Sequence, residues 1–104
     1  METSLVLSEL KSGLSGLYGD RLSSLWLFGS RARGEESPDS DFDVMIVLKD
    51  KVDAGEEIAR TGGVVSSLGL KYDVVPSCVY VSADRFAREQ SPLFLNVRRE
   101  GKQI

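Results

Sequence analysis

Apolar residues recur early in the chain at Leu7, Leu10, Leu14 and Leu17, in steps of three, four and three that place them on one face of a helix. Gly13 and Gly16 fall inside that stretch and weaken its last turn. "SLWLF", residues 24–28, is a short apolar run closed by Gly29, and it predicts a buried strand. "DFDVMIVL", residues 41–48, alternates between two sides. Phe42, Val44, Ile46 and Leu48 make one side wholly apolar, so that side must be core. Asp41, Asp43, Met45 and Val47 make the other, acidic where the strand begins and apolar after it. From Asp53 to about Leu68, the positions Ala54, Ile58, Val65 and Leu68 fit a helix that Gly62 and Gly63 break or bend. "KYDVVPSCVYV" predicts a third strand, with Pro76 demoting its far half to an edge or a bulge. "SADRFAREQ" reads as a helix capped by Ser82, and "SPLFLNVRRE" as another with Ser91 as cap and Pro92 at its first position. The order is helix, strand, helical turn, strand, helix, strand, helices. It predicts an α/β or α+β domain, a small sheet covered by helices.

The 104 residues suit a single domain spanning 1–104, and an apolar fraction of 41% supplies one modest core. A net charge of −3 argues against a free-standing nucleic-acid binder, which would carry a basic face. The basic cluster "VRREGK" near the C-terminus reads either as a contact point or as a helix end whose cations suit the dipole. Cys78 is the sole cysteine, which fits a reducing cytoplasm, and with no histidine a Cys/His zinc site and a Ser-His-Asp triad are excluded. "METSLVLSELKSG" lacks a basic n-region and a long apolar run, so neither a signal peptide nor a membrane span is expected.

The chemistry gathers between residues 29 and 73. Ser30 suits an N-cap, Arg31 to Arg33 one helical turn, and Gly34 its left-handed end. Gly29 lets a ligand approach the backbone, and the amides that follow, with the Ser30 hydroxyl, suit a phosphate. The same pair is also an ordinary capped turn. Asp41 and Asp43 lie on one side of a strand, roughly 6.6 Å apart along the chain, a spacing at which carboxylates share hard cations such as Mg²⁺. The alternative is two solvated acids at a strand start, which leaves open why Asp43 faces the same way as Met45 and Val47. Asp73 interrupts a β-branched run. If its strand neighbours the first acids, it can bind one ion and take a proton from an acceptor hydroxyl; otherwise it is an edge carboxylate or a partner for Lys71.

"GSRARG" followed by "SDFD" resembles the signature of the DNA polymerase β-like nucleotidyltransferases, Gly-Ser, ten residues, Asp-x-Asp, and the interval from Ser30 to Asp41 matches it. "KYDVVPSCVYV" resembles the segment with that superfamily's third carboxylate. The length and the tail "SPLFLNVRREGKQI" resemble the minimal nucleotidyltransferase (MNT) group, often encoded beside a small helical HEPN partner. The resemblance implies a mixed sheet flanked by helices. It implies that Gly29 and Ser30 hold the distal phosphates of ATP or another triphosphate, while Asp41, Asp43 and Asp73 bind two Mg²⁺, or Mn²⁺, ions. By the same resemblance Arg31 or Arg33 touches phosphate; alternatively these arginines pair with Glu35 or Glu36 at the surface. The implied activity is transfer of a nucleoside monophosphate, AMP first, to a hydroxyl of a partner protein, such as a HEPN toxin, or of a small molecule, with release of pyrophosphate. The rival is an antitoxin-like binding module that neutralises a helical partner by contact and catalyses nothing.

Overall fold

The computed structural model describes residues 3–29, 32 and 42–104. Helix α1 (Thr3–Tyr18) leads through a single 3₁₀ turn at Gly19–Arg21 into strand β1 (Leu22–Phe28). Strand β2 (Phe42–Leu48), helix α2 (Ala54–Tyr72) and strand β3 (Pro76–Ser82) follow. Helices α3 (Ala83–Arg88) and α4 (Pro92–Glu100) and a two-residue strand β4 (Lys102–Gln103) complete the described chain. The sheet order is β3-β2-β1-β4. β1 pairs antiparallel with β2 and β4, whereas β2 and β3 run parallel, so the sheet is mixed.

Strand β2 is the centre of the molecule. Its Phe42, Val44, Ile46 and Leu48 join Val6, Leu10, Leu14 and Tyr18 of α1 and Leu68 of α2 in one core. Its Met45 and Val47 join Val81, Phe94 and Val97 in a second core on the opposite face, beneath α3 and α4. Trp26 and Phe86 stack at 5.4 Å at the edge of that second layer. Both faces of β2 are therefore dry, and this explains why Met45 and Val47 follow Asp43 on the same side.

The structure revises several expectations. The buried face of α1 is Val6, Leu10, Leu14 and Tyr18, while Leu17 is exposed. Gly13 does not end the helix: a Cβ there would meet Val64 Cγ1 at 2.8 Å, so the glycine lets α2 approach α1. Helix α2 runs unbroken through Gly62 and Gly63. It buries Glu57, Thr61 and Leu68, and Ile58 points out. Helix α2 also continues to Tyr72, so Asp73 is not a strand residue but the C-cap, at φ 53°, ψ 52°. The propensity of "KYDVV" for strand yields there to the helix, whose Gly69 carbonyl is reached by the cap amide. Pro76 is the first strand residue, where its missing amide matters least, and the strand that follows it is an edge strand of the sheet, as expected. The caps expected at Ser82 and the helix start at Pro92 are present: Ser82 accepts from the Arg85 amide, and Pro92 sits in the first turn of α4. Among the described residues no helix is long and apolar enough to cross a membrane.

Candidate active site

The site begins where β1 ends and β2 starts. Phe28 is opposite Asp43 in the antiparallel register, so Gly29, the next residue, emerges beside the acid. Gly29 has φ +76°, a left-handed conformation that costs a side-chain-bearing residue roughly 1–2 kcal/mol. Space imposes a second demand. A Cβ built on Gly29 would collide with the Asp43 carboxylate at Oδ2 and lie 3.2 Å from Cγ. The glycine of the Gly-Ser pair is thus an open backbone against which the second acid of Asp-x-Asp packs its carboxylate. Asp43 itself is half-buried, at the rim of the core under α3 and α4.

On the other side of β2 the parallel register sets Ser77 opposite Asp43. Asp73 lies four residues earlier, exposed at the end of α2, and is not brought beside Asp43. Ser30, Arg33 and Asp41 lie outside the described residues, as does Arg31. Of the six residues expected to form the site, the structure brings together Gly29 and Asp43. Among the described residues no three His, Cys, Asp or Glu side chains converge as a metal-ion group.

A second polar cluster was not anticipated. Glu57, 1% exposed, accepts from the Tyr18 hydroxyl at 2.8 Å and from Arg21 Nη2 at 3.2 Å, with Arg60 Nε at 3.3 Å. Arg21 also grips Asp50 through Nε, at 3.0 Å to each carboxylate oxygen. Thr61 donates to the Glu57 carbonyl and meets the Tyr80 hydroxyl. Burial, and then the Glu57 carboxylate, push the Tyr18 phenol well above its ordinary range. Burial likewise raises Tyr80 and pushes the Cys78 thiol up to about 11. Glu57 and Thr61 are four apart on α2, a spacing that could have pointed to a buried face in the sequence. Its partners Tyr18 and Arg21 are 39 and 36 residues away, and no local pattern links them.

Residues 7–94 match the nucleotidyltransferase domain family model, and the chain belongs to that family. It is 32% identical over 105 residues to a presumed protein adenylyltransferase of Methanocaldococcus jannaschii, covering 100% of this chain and 99% of that one. A second presumed protein adenylyltransferase of the same organism is 35% identical over 77 residues, 74% of this chain and 77% of the relative. The fold is that of a presumed minimal nucleotidyltransferase of known structure, with TM-score 0.64, 22% identity, and coverage of 100% and 97% of the two chains. It is also found in a toxin–antitoxin structure with AMP-PNP, at TM-score 0.68 and 21% identity, covering 92% of this chain and 69% of that one. A third likeness is to a chain in the complex of a tri-AMPylated Shewanella oneidensis HEPN toxin with its MNT antitoxin. There the TM-score is 0.60 and the identity 18%, with 98% of this chain and 71% of that one covered. The chain is a nucleotidyltransferase with a mixed sheet flanked by helices.

Proposed function

We propose that residues 1–104 act as one domain that transfers AMP from ATP to a hydroxyl of a partner protein, as the antitoxin of an MNT/HEPN pair. The observation that carries this reading is the packing of the Asp43 carboxylate on Gly29. It sets Gly29, the glycine of the proposed phosphate turn, against the acid proposed to hold the cation. The acceptor oxygen attacks the α-phosphorus, the bond from that phosphorus to the bridging oxygen breaks, pyrophosphate leaves with that bond's electron pair, and the hydroxyl's proton passes to water. The chain's part is to hold the reactants: the Gly29-Ser30 backbone at the distal phosphates, with Arg33 near them, and Asp41 and Asp43 at a Mg²⁺ ion. That ion, when bound, supplies charge neutralisation at the phosphates. The names of the adenylyltransferase relatives and of the AMPylated toxin complex support ATP as donor and protein as acceptor.

The test is incubation of the purified chain with α-labelled ATP, Mg²⁺ and a lysate of its host. Label on a protein with wild type, and none with Asp43→Asn, is the expected result. A second reading, a contact antitoxin without catalysis, draws support from Asp73 capping helix α2 rather than lying in the strand next to β2. Neutralisation of a partner by wild type and Asp43→Asn alike, with no label in either, would establish that reading instead.

A further inference from the structure

The two strands that flank Asp43 decide what can stand beside it. On β1 its register partner is Phe28, and on β3 it is Ser77. The next couples on β2 and β3, Met45 with Val79 and Val47 with Val81, all pack in the core under α3 and α4. Ser77 therefore presents its hydroxyl on Asp43's own face, about 5 Å away from strand to strand. An acid meant to share an ion with Asp43 from a neighbouring strand would occupy this position. A neutral hydroxyl does, and Asp73, the remaining acid of this segment, caps a helix four residues upstream.

Charge makes the substitution matter. Hard divalent ions recruit anionic oxygen, and two of them about 4 Å apart repel unless carboxylates and phosphates bridge them. The anionic oxygens the protein adds to those of the nucleotide are the two of the Asp-x-Asp pair, which balance one such ion, so a second would be held by phosphate alone. Resting on the transfer reading above, we propose that this chain holds one divalent ion with its bound nucleotide rather than two, and that Ser77 is the residue that sets the number. Asp73 takes no part in holding it.

The experiment counts Mn²⁺ by electron paramagnetic resonance in the full chain titrated with AMP-PNP, with circular dichroism to confirm folding. Wild type, Ser77→Ala and Asp73→Asn are each expected to bind one tight Mn²⁺ per chain, and Ser77→Asp is expected to gain a second. Two ions of similar tightness in wild type would overturn the inference and leave the transfer reading standing. Loss of the ion in Ser77→Ala or Asp73→Asn would do the same, as would a folded Ser77→Asp that stays at one. Absence of any nucleotide-linked Mn²⁺ in wild type would overturn both.

Discussion

Glu57 and Asp43 are both acids set against the apolar interior, one on each side of the sheet. Glu57 is surrounded by the chain's own donors: a tyrosine hydroxyl and two arginines reach it from α1, the 3₁₀ turn and its own helix. Its charge is met by the fold, and it belongs to the fold. Asp43 stands at a rim, with a glycine kept bare beside it and a serine across the strand. There a backbone without a side chain lies against the carboxylate. The contrast teaches that burial of an acid does not mark function by itself; what surrounds the carboxylate does.

The sharpest way to break this contrast is at Glu57. Glu57→Ala should lower unfolding free energy by roughly 2–4 kcal/mol, because the Tyr18 hydroxyl is left buried without its acceptor and a void opens. Arg21 and Arg60 limit the loss, since each is partly exposed and can turn to water. Urea unfolding measures it, and ATP affinity of the folded fraction should hold. A stability change under about 0.5 kcal/mol would mean Glu57 is not the structural acid described.

Gly29→Ala comes next, at about 1–3 kcal/mol, combining left-handed strain with the clash against Asp43. Triphosphate affinity should fall with it. In an Asp43→Ala background the clash disappears and the strain remains, so the glycine substitution should cost less there. Additive effects in that double-mutant cycle would show that the two residues do not press on each other.

Asp43→Asn should abolish transfer yet leave the metal-free protein as stable as wild type, or more stable by ~0.5–2 kcal/mol, in thermal melts with EDTA. A clear fall in melting temperature would move Asp43 into the class of Glu57 and dissolve the comparison.

The smallest effect is alkaline. The folded chain keeps the Cys78 proton until about pH 11, whereas the unfolded thiol releases it near 9.0. Between those values the folded state binds more protons, so stability is full below about 9 and falls as pH rises towards 11. The contribution at pH 10 should stay under about 1 kcal/mol for this half-buried thiol. Cys78→Ala should flatten that part of the pH profile of stability, leaving a later decline from Tyr18 and Tyr80, both raised by burial. An unchanged profile would remove Cys78 from it.

Much of this was readable in the chain itself, for local reasons. The alternation in 41–48 predicts β2 and the side on which Asp43 lies, and Ser82 and Pro92 mark helix starts by chemistry confined to one turn. The misreadings share a different cause. Asp73 reads as strand because β-branched neighbours follow it, but a helix that had already run 19 residues set its conformation. Leu17 and Ile58 satisfy helical spacing yet face outward, since the approach of α1 to α2 at Gly13 and Val64 fixes which stripe is covered. Strand β4, two residues long, is too short to carry a period and exists because Trp26 and Leu27 offer it an edge. The Glu57 cluster depends on contacts across more than thirty residues.

The packing of Asp43 on Gly29 also gives the family's decay a direction. A lineage that abandons catalysis can replace the acid first, since a smaller side chain there only widens the space beside Gly29. The glycine cannot go first, because any side chain it acquired would strike the acid still in place, and even after the acid is gone its backbone angle favours glycine. Relatives that have kept only a binding role should then retain the glycine without the aspartate far more often than the aspartate without the glycine. An excess of the second kind in a family alignment would show that the two positions drift independently.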